Sequence, residues 1–136
     1  MDNEYRINDA EEFKNSGGRF TPLISVGEAG GIGISSGFAK KYELNNKNTK
    51  SVRLFYWKDK VAIGLMFLEK LEESTLKLRF TDDERGGAYV NAKPFWIKFD
   101  IEYKNFVRKY IPKEITTEKG KIYVIELREK QLHTGQ

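Results

Sequence analysis

"GEAGGIGISSGFAKKYEL" (residues 27–44) decides how this chain folds. Four glycines, Gly27, Gly30, Gly31 and Gly33, precede an apolar, lysine-bearing stretch, and a fifth, Gly37, lies inside it. Such a run can cradle a phosphate, or it can turn a strand back before a helix. It departs from G-x-G-x-x-G, because the glycine after Gly31 and Gly33 comes one position too late, and no G-K-[ST] ends it as a phosphate-binding loop. A nest of backbone amides for an anion stays open as an alternative. The turn is the favoured reading. Residues 23–26 form a strand, the first glycines a turn, and "GIGI" a short returning strand that Gly31 and Gly33 leave bare on one face. Ser35 or Ser36 then caps a helix in which Phe38, Tyr42 and Leu44 share one side while Lys40, Lys41 and Glu43 face water.

Downstream, "SVRLFYW" and "VAIGLMFLE" meet at "KDK", a tight hairpin with Asp59 at its turn. Alternation puts Leu54 and Tyr56 on one side and Phe55 and Trp57 on the other, so both faces are apolar. This hairpin is expected to be covered twice, by its own domain or by a second copy meeting it through residues 51–68. "TLKLRF" alternates cleanly, with Leu76, Leu78 and Phe80 inward and Lys77 and Arg79 outward. After the "TDDERGG" loop, "AYV" reads as a strand and "NAKPFWIKFDI" as a second short helix capped by Asn91, with Pro94 in its first turn. "FVRKYI" and "KIYVIEL" are further strands around "TTEKG".

The order repeats. "GGIGISSGFAKKYEL" and "GGAYVNAKPFWIKFDI" both run from paired glycines through a short strand and a polar cap to an aromatic (Phe38, Phe95), a lysine (Lys41, Lys98), an aromatic (Tyr42, Phe99), an acid (Glu43, Asp100) and an aliphatic (Leu44, Ile101). Two strands joined at a turn follow each copy. The expected fold is α+β and mainly β, with two pseudo-repeated strand-turn-strand-helix-hairpin units forming a small barrel-like sheet assembly. The expected layout is an acidic lead-in over 1–18, one β-rich domain over 19–127 (unit one 19–70, unit two 74–127) and a tail over 128–136.

The first copy, "ISVGEAGGIGISSGFAKKYEL…SVRLFYWKDKVAIGLMF", resembles the AbrB-type swapped-hairpin unit, and the tandem resembles MraZ-type proteins, in which two repeats share one chain. "GGAYVNAKPFWIKF" is also similar to a "GGxxVxAKxF" segment of uncharacterised prokaryotic proteins carrying this unit. The resemblance implies two interlocked units in one barrel, duplex-DNA binding and transcription control, or the antitoxin role of MazE-type relatives. It differs at the first hairpin, where the family is rich in arginine and "SVGEAGGIG" offers Glu28 and no base. "YIPKEI" copies the family's wording ahead of a helix, but Gly120 and a β-run follow too soon for one to develop.

Composition sets the partner class. The 136 residues are 39% hydrophobic and 32% charged, as in an ordinary globular protein. No apolar run approaches the ~20 residues needed to cross a bilayer, and the acidic N-terminus is unlike a signal peptide, so a cytoplasmic protein is expected. With no cysteine, disulfides and thiolate chemistry are excluded. Residues 1–13 hold five acids against Arg6; of the 24 basic and 20 acidic residues in all, 23 and 15 remain beyond them. The body is therefore basic and suits an anionic partner such as nucleic acid.

No catalytic constellation emerges from spacing, and no cofactor is implied. His133 stands four residues from the end, and Asp82–Glu84 reads as a solvated turn rather than a metal site. The leading function is non-enzymatic binding of duplex DNA, with Arg19, Arg53, Lys77, Arg79 and Arg85 as phosphate contacts. Bases interleaved with aromatics, as in "RLFYWK" and "KPFW", leave a single-strand binder open, with Trp57 and Trp96 as stacking platforms, against the reading of those rings as core. A protein-interaction module is the third alternative.

Overall fold

The computed structural model describes residues 5–12, 21–81 and 87–129. Among these residues ten strands form two antiparallel five-stranded sheets, accompanied by two six-residue α-helices. The strands are β1 (Ile24–Val26), β2 (Gly31–Ile34), β3 (Ser51–Trp57), β4 (Ala62–Leu68), β5 (Leu76–Lys77), β6 (Arg79–Phe80), β7 (Ala88–Asn91), β8 (Arg108–Tyr110), β9 (Lys113–Thr117) and β10 (Gly120–Glu126). The helices are α1 (Ser36–Lys41) and α2 (Lys93–Lys98). The first sheet runs β6-β7-β2-β1-β8 and the second β5-β3-β4-β10-β9. No helix among the described residues is long and apolar enough to cross a membrane.

Local chemistry explains each piece of the opening stretch. Gly30 takes φ +91, a conformation that costs glycine little, and a β-carbon there would meet Lys93 at 2.9 Å. The Gly27 amide donates to the Gly31 carbonyl at 2.9 Å, closing the turn that pairs β1 with β2. Ser35 then caps α1 by accepting the Phe38 amide at 3.0 Å; the same oxygen accepts the Leu23 amide and donates to the Thr21 carbonyl. One hydroxyl thus joins the helix start to the strand before it. For α2 the cap position is Ala92 rather than Asn91: Asn91 ends β7, and its Oδ1 accepts the Lys93 amide from one residue further out. "YIPKEI" is extended, as β8 and β9 with Pro112 between them.

The two halves recur in space with an offset of 57 residues. β2 and β7 each lead into a six-residue helix, and both helices end alike: the Leu44 amide reaches the Ala39 carbonyl at 2.8 Å, and the Ile101 amide reaches the Trp96 carbonyl at 2.9 Å. In each, the residue before that bond is a non-glycine in the left-handed region, Glu43 at φ 56 and Asp100 at φ 53. This is a Schellman ending with an acid where glycine is the usual choice. An aromatic triad sits over each helix: Phe38 and Tyr42 meet Tyr123, and Phe95 and Phe99 meet Tyr56. The halves also interleave. β2 pairs with β7 in the middle of the first sheet, and β4 pairs with β10 in the middle of the second. Because a side chain raises the energy of the left-handed region by about 1–2 kcal/mol, Glu43→Gly and Asp100→Gly are each expected to stabilise the protein by about 1 kcal/mol. Thermal unfolding followed by circular dichroism should show Tm rising by roughly 4 °C for each.

Inward residues of both sheets form one core: Ile24, Val26, Ile32, Ile34 and Val90 from the first, Val52, Ile63, Leu65 and Ile125 from the second, with Phe38, Phe95 and Trp96 from the helices. Tyr123, closed in by Phe38, Tyr42 and Phe67, has its phenol pushed up to about 12, first by burial and then by Glu114, so it stays neutral in the folded protein. The expected barrel is realised only in part, since among the described residues no ladder closes the ring between the sheets. At one side the chain passes from β5 to β6 through buried Leu78, whose amide turns to the Lys50 carbonyl; at the other it passes from β8 to β9 through Ile111 and Pro112, which has no amide proton to continue a ladder. Both crossings are corners between two open sheets.

Candidate nucleic-acid interface

The corner between β8 and β9 gathers cations that no local motif singles out. Arg108, Lys109, Lys113 and Arg128 line a cleft of about 400 Å³ together with Tyr110, Ile111, Val124 and a single acid, Glu126. All four cations are exposed. Beneath them Tyr110 is buried, its hydroxyl donating to the Phe106 carbonyl at 2.6 Å and accepting the Arg128 amide at 3.2 Å. That second bond holds the strand end carrying Arg128 against β8. Arg108 lies over the Tyr110 ring, 5.8 Å from its centre. Burial raises the Tyr110 phenol above its ordinary value, outweighing the backbone bond to Arg128 and the charges of Arg108 and Arg128, which act the other way. The phenol therefore stays neutral at physiological pH and cancels none of the surrounding charge.

The opposite corner is basic too. Lys77 and Arg79 point outward on either side of buried Leu78, as the alternation of "TLKLRF" predicts. Arg53 is half-buried on β3 and spends its charge on Glu72 at 2.9 Å. Arg19 and Arg85 lie outside the described residues, as do Asp82–Glu84 and His133.

The two tryptophans separate. Trp96 is 2% exposed, and its indole N–H donates to the Gly30 carbonyl at 2.9 Å. A ring held in this way has no free face for a base, so the expectation that Trp96 is a stacking platform is corrected: it is core, because α2 needs a large apolar group to seal the glycine turn. Trp57 is half-buried on the outer face of the second sheet, stacked near Phe55 at 6.4 Å, with its six-membered ring lying over Gly64. The middle of that outer face is apolar, with Phe55, Trp57, Ile115 and Val124 half-buried around Met66 and Ile122, while Arg53, Lys113 and Glu126 share the face at its margins.

The glycines of the opening stretch serve the first sheet. Gly31 and Gly33 alternate with buried Ile32 and Ile34, so the outer side of β2 carries no side chains. Comparison of the chain with protein-family models, curated protein sequences and solved structures gives no match.

Proposed function

We propose that this protein is a non-enzymatic nucleic-acid-binding protein, built as a tandem swapped-hairpin unit of the AbrB and MraZ kind, that holds the phosphates of duplex DNA at the corner between β8 and β9. The observation that carries this reading is the gathering of Arg108, Lys109, Lys113 and Arg128 around one cleft with a single acid among them. Such a cluster attracts closely spaced negative charges and releases their counterions, which contributes affinity without choosing a sequence. Lys77 and Arg79 extend the same chemistry to the other corner. The recurrence at 57 residues and the interleaved halves support the architectural part, with transcription control as the role it implies. A fluorescence-anisotropy titration of labelled random duplex at two salt concentrations tests it. Binding should be tight at low salt and fall by at least tenfold on going from 50 to 200 mM. Failure to bind at low salt removes the proposal.

The apolar outer face of the second sheet favours a further element, self-association through residues 51–68, where Phe55 and Trp57 would be covered by a second copy. Light scattering should then give a mass near twice the 15.8 kDa of one chain. A mass of one chain at micromolar concentration counts against it.

A further inference from the structure

One rung runs straight across the outer face of the first sheet. Arg79 on β6 pairs with Tyr89 on β7, Tyr89 with Gly33 on β2, Gly33 with Ser25 on β1, and Ser25 with Lys109 on β8. On the three inner strands their neighbours Ile24, Val26, Ile32, Ile34, Ala88 and Val90 are buried on the other side. The rung therefore reads cation, aromatic ring, bare backbone, hydroxyl, cation. Tyr89 is 48% exposed and has no ring partner among the described residues. Beside it Gly33 carries no side chain, and the nearest group to a β-carbon placed there is the rotatable Ser25 hydroxyl, at 2.6 Å. Gly87 is the constrained one, since a β-carbon there would lie 2.9 Å from the Ile34 backbone carbonyl. The space next to the ring is left open by the bare backbone of Gly33. It forms a cleft of about 520 Å³ bordered by Ser25, Gly33, Gly87, Tyr89 and Lys109.

Resting on the nucleic-acid reading above, we infer that this rung is a binding site for an unpaired nucleotide strand, with one base stacked on Tyr89 and flanking phosphates held by Arg79 and Lys109. Four inter-strand steps of ~4.8 Å put the two cation-bearing strands roughly 19 Å apart, room for a short single-stranded segment of about four nucleotides. A half-exposed ring on a sheet, with a cation at each end of its rung, matches the way single strands are held: every base has a face to stack, and each phosphate meets a cation. A duplex keeps its bases inside and has nothing to offer Tyr89. Among the described residues neither Arg79 nor Lys109 has an ion-pair partner, so both charges are available. Lys109 also borders the cleft at the β8–β9 corner, which makes the rung continuous with the phosphate-binding cations there.

The test measures anisotropy of a labelled twelve-nucleotide oligothymidylate and of a labelled twenty-base-pair duplex with the full chain. Tyr89→Ala should weaken the single strand by about 10–100-fold, the loss of one stacked base, and leave duplex affinity within twofold. Tyr89→Phe, which keeps the ring, should retain single-strand affinity. Exposure of Tyr89 means that neither change empties the core, and both variants should give the circular-dichroism spectrum of the unsubstituted chain. Wild-type single-strand affinity in Tyr89→Ala, or equal weakening of both ligands, overturns the site while leaving the phosphate corner standing. An unsubstituted chain that binds the duplex but not the single strand overturns the site alone, and one that binds neither ligand overturns both readings.

Discussion

Replacing Trp96 with alanine is expected to destabilise the protein by about 3–5 kcal/mol, a fifth or more of the roughly 5–15 kcal/mol that holds a typical domain together. The side chain is buried among Phe95, Tyr103 and the glycine turn, and its indole hydrogen bond to the Gly30 carbonyl spans 66 positions of sequence. Truncation leaves a large cavity, removes the donor and frees the turn that sets the register of β1 on β2. The Ala92 amide, 3.3 Å from the same carbonyl, remains as a weaker partner. Trp96→Phe separates the two contributions. It keeps most of the apolar volume and loses the hydrogen bond, so a cost of about 1–2 kcal/mol is expected. Urea denaturation followed by Trp57 fluorescence reports both variants, because Trp57 sits on the other sheet. A cost below about 1 kcal/mol for Trp96→Ala would show that the glycine turn stands without its lid.

The second large effect concerns binding. Lys113→Glu combined with Arg128→Glu puts two negative charges into the cleft beside Glu126 and should weaken duplex binding at low salt by about 100-fold. The milder pair, Lys113→Ala with Arg128→Ala, should flatten the slope of log affinity against log salt by roughly two, one for each phosphate no longer neutralised. A matched pair of charge removals at Lys58 and Lys60, on the turn between β3 and β4, changes net charge equally and supplies the comparison. If that pair weakens binding as much as the corner does, the affinity belongs to the overall charge of the chain and the corner has no special standing. Lys113 and Arg128 are exposed, so their removal leaves the core intact.

The local elements of this fold are legible in the sequence because each carries its own signal. The hairpin of β3 and β4 announces itself through two β-branched and aromatic runs around "KDK", and α1 through a serine cap and the spacing of Phe38 and Tyr42. The 57-residue recurrence is visible as a pattern of residue types, and the matching left-handed residues Glu43 and Asp100 give it a geometric counterpart. What the chain order hides is long-range register. Nothing local says that Tyr89 stands beside Gly33, or that Lys109 closes the same rung across β1, because each pair is set by which strands meet, not by what surrounds either residue. For the same reason the cations of "VRKY" and "PKE" and of Arg128, which fall in separate strands and in the stretch beyond the last one, do not read as one cluster. Trp96 misleads in the opposite sense: "KPFW" places it beside a base, but α2 turns it inward.

The interleaving of the halves carries a consequence for how the molecule holds together. Each half supplies strands to both sheets, and the inner strands of one lie against the inner strands of the other, so a half in isolation would keep its hairpin but expose β2 and β4 as raw edges. Integrity therefore depends on the mutual embrace of the halves more than on the peptide that links them. The stretch from Leu71 to Thr75 is a covalent seam: a chain nicked there retains every ladder, and two fragments expressed separately have matching edges on which to reassemble.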